Sequence, residues 1–151
     1  MNMFIPGGSA ICVKAHRVIE AIEMIVKKTN GLTISSEYEM KPEGTVEFSA
    51  THFSRGLSDL INLLAVNGEL HFTITAEERW IEFSVPVRDG VSAARLAAVC
   101  RRFRYAGCMP GVAKERFFVS MTVDPTVSLA LYNGTSRDLS MLILLGLDLN
   151  L

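Results

Sequence analysis

The chain has 151 residues, 49% of them apolar, and a formal net charge of −1. Its length suits one domain, and this apolar content excludes intrinsic disorder, which requires low hydrophobicity and high charge. Without a net positive charge, no overall field draws the protein to nucleic acid or to an anionic membrane.

Two helices and two strands are predicted in the first half of the chain. Apolar side chains recur every three or four residues from 10 to 28, where Ser9 can cap a first helix that the Asn-Gly pair at 30–31 ends. The strands LTISSEYEM and TVEFSA follow, separated by the turn KPEG. Thr51 can cap a second helix, which ends at a second Asn-Gly pair, at 67–68.

The second half begins with a predicted hairpin, in which ELHFTIT and WIEFSVPV alternate apolar and polar residues. Ser92 can cap a third helix that carries arginines on its outer face, and the glycine and proline residues of AGCMPG end it. Two more strands, RFFVSMTV and TVSLALY, complete the pattern. We predict an α+β fold, a two-layer α/β sandwich in which about three helices cover one face of a mixed, largely antiparallel sheet.

The last residues form a separate apolar segment, DLSMLILLGLDLNL. Leucine, isoleucine or methionine occupies every second position from Leu139 to Leu151, which predicts an extended strand. An exposed strand of this kind is an aggregation hazard, so it must pack on its own domain or pair with another subunit. We therefore assign residues 1–134 to one α/β domain and residues 135–151 to a packing or oligomerisation strand, and we expect a homo-oligomer formed through Leu139 to Leu151.

The order of elements resembles the ATP-binding domain of histidine kinases and related GHKL, or Bergerat-fold, ATPases. The resemblance is carried by GLTI, by VEFSA before the helix LSDLINLLAVNG, by a hairpin ending in VPVRDG and by a helix ending in FRYAG. In that family a helix asparagine holds the magnesium that bridges the nucleotide phosphates, and an aspartate followed by spaced glycines receives the adenine amino group. The resemblance therefore implies Asn62 or Asn67 on the metal side and Asp89 with Gly90 on the adenine side.

The motifs depart from the family pattern. Asn62 and Asn67 are five residues apart, whereas the pattern N-L-L-x-N-A places its asparagines four apart. The adenine motif D-x-G-x-G reads Asp-Gly-Val-Ser-Ala at residues 89–93, and no later G-x-G-L-G motif follows. Glycines matter there because only their backbone can approach phosphate oxygens closely. The departures imply a degenerate, non-catalytic relative.

Three functions are compatible with these patterns. We expect a non-catalytic regulatory or signalling module with a histidine-kinase-type ATPase-like fold, which acts through contacts with a protein partner and has no catalytic residues and no cofactor. The first alternative is a working ATP-binding enzyme or switch that uses ATP with magnesium. The second alternative is a nucleic-acid-binding module that uses Arg101, Arg102 and Arg104 on the third helix.

The remaining patterns concern compartment and metals. Cys12, Cys100 and Cys108 are odd in number and lack C-x-x-C spacing, which predicts reduced thiols in a cytoplasmic protein. No apolar run reaches the roughly 18 residues that cross a bilayer, so no membrane partner is expected. His52 and His71 lack the spacing of zinc ligands, so no metal site is predicted.

Overall fold

The computed structural model describes residues 10–125 and 134–150 of the chain. Helices and strands are mixed along this whole length. In chain order the elements are β1 (Ala10–Lys14), α1 (Ala15–Lys28), β2 (Leu32–Glu37), β3 (Thr45–Ser49), α2 (Ala50–Leu64), β4 (Leu70–Glu77), β5 (Trp80–Pro86), α3 (Ala93–Tyr105), β6 (Met109–Ala113), β7 (Arg116–Thr122) and α4 (Ser136–Leu145). This mixture confirms the predicted α+β class.

Five strands form the main sheet in the order β2-β4-β5-β7-β6. β2 and β4 run parallel, with Leu32 opposite Leu70, and the other neighbouring pairs are antiparallel. A parallel pair needs a crossover connection, which here contains β3 and α2. β1 and β3 form a separate antiparallel pair, and backbone hydrogen bonds join Thr45 of β3 to Asp124 beyond β7. The mixed, largely antiparallel sheet is confirmed.

The helices cover one face of the main sheet. Along β4, Leu70, Phe72 and Ile74 are buried, whereas the residues between them are exposed or half-buried. Ile25 of α1 and Leu57 of α2 belong to the same buried cluster as these strand residues. The predicted two-layer sandwich is therefore confirmed, with a fourth helix in the described part of the chain.

The opposite sheet face is polar. The His71 ring lies between two hydroxyl groups of β2, with Nδ1 2.6 Å from Thr33 Oγ1 and Nε2 2.9 Å from Ser35 Oγ. Arg116 of β7 donates a hydrogen bond to Ser84 Oγ at 3.0 Å. Such cross-strand polar contacts suit a sheet of which one face contacts water.

An aromatic cluster holds α2 and α3 on the sheet. The ring centroid of Phe103 in α3 lies 5.7 Å from that of Phe53 in α2, 6.0 Å from that of Phe83 and 6.1 Å from that of Phe117. Each of these four side chains is at most 1% exposed. Gly56 permits this packing, because a Cβ there would lie 3.1 Å from the Phe103 ring. The cluster therefore determines how closely α2 and α3 approach each other.

Two helices begin elsewhere than predicted. Residues 10–14 form β1 because β3 offers them an antiparallel partner, so α1 begins at Ala15. Pairing between distant segments here overrides a helical spacing of apolar residues. Ser9, the predicted cap, lies outside the described residues. At α2 the capping side chain is that of Ser49, whereas Thr51 lies inside the helix.

The strand β6 was not predicted. Gly107, at a φ of +92°, follows α3 as expected of a helix-breaking glycine, but the chain then re-enters the sheet at Met109. β6 lies at the edge of the sheet beside β7, where Pro110 is tolerated although it has no N–H for a ladder. The predicted last strand, TVSLALY, lies outside the described residues.

The C-terminal segment contains a helix, so the prediction of a strand is wrong for residues 136–145. Thr135 and Asp138 form a capping box, in which each side chain accepts a hydrogen bond from the backbone N–H of the other residue. Leu139 and Ile143, four residues apart, are buried where α4 packs on α1 and α2. A run that is apolar at most positions satisfies both helix and strand periodicities, and the cap decides in favour of the helix.

Glu20 of α1 links α4 to the rest of the domain. Its carboxylate accepts hydrogen bonds from Lys41 Nζ, at 2.6 Å, and from the Ser136 hydroxyl at the start of α4. The bond from Lys41, followed by the bond from Ser136, holds the pKa of Glu20 below its ordinary value of 4.5. A pKa lowered by folding adds stability above the unfolded pKa, and this stability is lost as the pH falls through the folded pKa.

We expect Glu20→Gln to lower the free energy of unfolding at pH 7 and to have no such effect once the pH is below the folded pKa of Glu20. Urea unfolding of both proteins between pH 7 and pH 3 measures the difference. Glu47→Gln is the matched control, because it removes an exposed carboxylate that has no side-chain hydrogen bond within the described residues. A deficit of equal size at pH 7 and pH 3 would contradict this prediction.

Candidate functional site

One face of α2 carries a row of polar side chains, Ser54, Ser58 and Asn62. Residues four apart on a helix lie on the same face, one turn from each other. Ser54 and Ser58 are 1% and 5% exposed, and Asn62 is half-buried. Polar groups at such positions need hydrogen-bond partners, and most of these partners come from the end of the chain.

Residues 147–150, which we call the tail, lie along this polar row. The Ser58 hydroxyl accepts a hydrogen bond from the backbone N–H of Asp148 at 2.9 Å. One turn earlier, the Ser54 hydroxyl lies 2.8 Å from the carbonyl oxygen of Ile143, in the last turns of α4. The hydroxyl groups of α2 therefore contact main-chain atoms of the C-terminal segment.

Asn62 binds the tail with both ends of its side-chain amide. Its Nδ2 donates to the carbonyl oxygen of Asp148 at 2.8 Å, and its Oδ1 accepts from the backbone N–H of Asn150 at 2.8 Å. A carbonyl and an N–H on one edge of an extended chain are the groups that a neighbouring β-strand engages. The Asn62 amide therefore takes the place of a neighbouring strand.

Directly before the tail, the chain approaches α2 closely at Gly146. A Cβ at this position would lie 2.7 Å from the Ser54 Cβ, so a larger residue would push the two segments apart. Beyond Gly146, Leu147 and Leu149 are half-buried against the core, whereas the residues that alternate with them are exposed. This alternation is typical of an extended chain with one face on the protein.

The tail, α2 and α3 enclose a polar groove of about 450 Å³, which we call the α2 groove. It is lined by Arg55, Ser58, Asp59, Asn62, Arg102, Asp148 and Asn150. Arg102 of α3 forms an ion pair with Asp59 of α2, with 3.3 Å between Nε and Oδ2. The two arginines of the groove are matched by two aspartates, so the lining has no net charge that would favour an anion.

Asn67 lies outside the α2 groove, in the turn after α2. It is exposed and has a φ of +54°, and Gly68 has a φ of +76°. Val66 and Glu69 exchange backbone hydrogen bonds of 2.9 and 3.0 Å around this pair. Positive φ at both central residues is the geometry of a type I′ turn, for which Asn-Gly is the preferred sequence. The conformation of the turn therefore accounts for Asn67.

Asp89 and Gly90 lie in the exposed turn between β5 and α3. Gly90 has a φ of +82°, and a Cβ there would meet no atom within 4 Å. Within the described residues, the Asp89 side chain makes no hydrogen bond. The neighbouring Arg88 donates a hydrogen bond to the carbonyl oxygen of Leu63 at 3.1 Å, which ties this turn to the C-terminal end of α2.

Of the four residues that the resemblance implies, Asn62 lies on α2, whereas Asn67, Asp89 and Gly90 lie in turns. The Oδ1 atom of Asn62 accepts a hydrogen bond from the backbone N–H of Asn150. Of the four predicted residues Asn62 alone lines the α2 groove. In residues 10–125 and 134–150, no group of three or more His, Cys, Asp or Glu is placed to hold a metal ion.

The other sequence candidates have separate positions. Arg101, Arg102 and Arg104 are exposed on α3, as a basic helix face requires, and Arg102 is paired with Asp59. Burial raises the pKa of Cys108 to about 12, which makes it an inert thiol near neutral pH. Among the described helices, none is both long and apolar enough to cross a membrane.

The tail contacts were missed in the sequence, although a signal for them exists. Serine and asparagine are weak helix formers, and two serines and an asparagine at four-residue intervals on a helix are unusual unless their side chains have partners. That spacing can be read from SRGLSDLIN, residues 54–62, only if α2 is already known to be a helix. The sequence does not show which segment supplies the partners, because that segment lies 86 to 90 residues further along the chain.

The solved structures that are similar to this chain include two histidine kinases. No protein-family model and no curated protein matches it. The catalytic domain of the histidine kinase ThkA has a TM-score of 0.46 and 12% identity, over 80% of this chain and 99% of that chain. The Acinetobacter baumannii histidine kinase AdeS has a TM-score of 0.41 and 10% identity, over 79% of this chain and 68% of that chain.

Proposed function

We propose that this chain is a non-catalytic regulatory or signalling module, in which a histidine-kinase-type ATPase architecture serves as a scaffold for protein contacts. The observation that carries the proposal is the hydrogen bonding of Asn62, whose amide binds the tail backbone at both ends. The resemblance assigns magnesium to an asparagine on this helix. In this chain the Asn62 amide is hydrogen-bonded to the extended backbone of the tail, which supports a role in binding extended peptide.

The surroundings of Asn62 support the same function. Arg55 and Arg102 are balanced by Asp59 and Asp148, so the α2 groove has no excess positive charge for a triphosphate. The N-terminus of α3, where a phosphate could otherwise accept backbone N–H groups, is capped by Ser92.

The test is thermal melting of the full chain with magnesium and a non-hydrolysable ATP analogue. We expect no change in Tm at millimolar analogue. A nucleotide present at about 100 times its Kd would add roughly 2.7 kcal/mol to the free energy of unfolding, which is readily seen as a higher Tm. Magnesium alone is the control for a general effect of the ion.

Two variants identify the alternative if a shift does occur. ATP binding through Asn62 predicts that Asn62→Ala loses the shift and that Asn67→Gly keeps it. Binding through Asn67 predicts the reverse. A nucleotide-dependent shift that either variant removes would replace the proposed function with that of an ATP-binding enzyme or switch.

A further inference from the structure

The helix α3 is attached to the core by few side chains and leaves most of its surface in water. Val99 and Phe103 are its buried residues. Exposed residues at spacings of three and four lie along one side of the helix, which we call the outer face of α3: Ala94, Ala97, Arg101 and Tyr105. The packing of Phe103 therefore holds this face towards solvent.

The charge on α3 is entirely positive. The helix contains no aspartate or glutamate, and its charged residues are Arg95, Arg101, Arg102 and Arg104. Arg102 forms the ion pair with Asp59 of α2. In the described part of the chain the side chains of the other three arginines form neither an ion pair nor a hydrogen bond, and all three are exposed. One helix thus carries three positive charges that no described residue compensates.

The helix macrodipole does not account for all of these arginines. Arg102 and Arg104 lie in the last turn, where a cation is favourable. Arg95 lies in the first turn, where a cation meets the positive end of the dipole. It also occupies the third position after the cap Ser92, where a capping box has glutamate or glutamine. Helix stability favours the opposite charge there, so the positive charge of α3 points to an external partner.

Exposed apolar side chains follow the positive end of α3. Tyr105 is 69% exposed, and Met109, four residues later at the start of β6, is 66% exposed. Arginine, tyrosine and methionine are enriched in protein–protein interfaces, where arginine and tyrosine supply many of the strongest contacts. This combination fits a partner protein that presents acidic and apolar side chains together.

A nucleic acid fits the same surface less well. The whole chain has a formal net charge of −1 although α3 is strongly positive, so the rest of the chain is net negative. A phosphate backbone that extends beyond α3 meets this negative charge, whereas a short acidic segment of a protein does not.

We propose that the outer face of α3 binds an acidic segment of a partner protein, whose carboxylates pair with Arg101 and Arg104 and whose apolar side chains pack on Tyr105. This inference rests on the proposed function and names the chemistry of the partner. Because both arginines are exposed, the binding weakens as salt screens their charges.

The test is fluorescence anisotropy of a labelled peptide with the repeat Glu-Leu-Glu-Ala, titrated with the full chain. We expect binding that Arg101→Ala/Arg104→Ala weakens roughly tenfold and that Tyr105→Ala also weakens. Lys27→Ala/Lys28→Ala is the matched control, because it removes two exposed cations from the last turn of another helix and should leave binding unchanged. Raising the salt from roughly 0.01 M to 0.15 M, which shortens the Debye length from about 30 Å to about 8 Å, should weaken binding to the wild-type chain.

Two further probes distinguish the kinds of partner. A peptide with glutamine in place of glutamate should bind more weakly than the acidic peptide, and so should an oligothymidylate of the same charge. An oligonucleotide that binds as tightly as the acidic peptide overturns the proposal in favour of a nucleic-acid partner. The proposal also fails if the acidic peptide does not bind at low salt, or if the lysine variant loses as much affinity as the arginine variant.

None of these measurements involves a nucleoside triphosphate. Failure of the peptide to bind leaves the proposed non-catalytic function standing. Conversely, a nucleotide-dependent rise in Tm removes that function and does not alter the affinity for the peptide.

Discussion

Replacing Gly31 by alanine is expected to destabilise the protein by about 2–5 kcal/mol, because left-handed backbone strain and overpacking act at one position. Gly31 has a φ of +87°, and a Cβ there would lie 1.9 Å from the carbonyl oxygen of Gly68. That oxygen belongs to the backbone of the turn after α2, so it cannot move away as a flexible side chain would. The substitution therefore separates the two Asn-Gly turns from each other.

Gly68→Ala is the matched control for Gly31→Ala. Gly68 also follows an asparagine and has a φ of +76°, but a Cβ there would meet no atom within 4 Å. It should cost only the conformational strain of about 1–2 kcal/mol. Urea unfolding of both variants measures the difference, and equal losses would show that the contact between the turns contributes nothing.

The second large effect is expected for Phe103→Ala, at about 3–5 kcal/mol. Phe103 is 0% exposed and packs against three other phenylalanine rings from α2 and the sheet. Gly56, which admits the ring, cannot fill the cavity that truncation would leave. A loss of this size is a large share of the typical stability of a domain, about 5–15 kcal/mol.

Tyr105→Ala provides the comparison on the same helix. Tyr105 is 69% exposed, and an exposed substitution of this kind changes stability by roughly 0.5 kcal/mol or less. Chemical denaturation followed by circular dichroism reports both variants. A Phe103→Ala protein as stable as Tyr105→Ala would mean that the aromatic cluster does not hold α3 on the sheet.

Local sequence signals were sufficient for much of the fold. The side chain of Ser92 caps α3 as predicted, and the glycines of both Asn-Gly pairs have positive φ. Alternating residues in β4 and β5 predicted the buried face of the main sheet, since period-two patterns are unambiguous in half-buried strands. Each of these features depends on neighbours within a few residues.

The features that were missed depend on distant parts of the chain. β1 exists because β3 pairs with it, and nothing within residues 10–14 shows where that partner lies. α4 was predicted as a strand because an almost uniformly apolar segment has no clear period, and the Thr135–Asp138 cap was overlooked. At the candidate site the sequence identified Asn62 but not its partners in the tail, which are more than 80 residues away.

The main-chain recognition of the tail has a consequence for how the sequence can vary over evolutionary time. Since the hydrogen bonds from Asn62 and Ser58 reach only main-chain atoms of Asp148 and Asn150, almost any amino acid other than proline at those two places can keep them. Gly146 has no such latitude, because even a methyl group there collides with Ser54. Among relatives of this protein, a glycine followed by a leucine and then a freely drifting residue would be the mark of a retained tail.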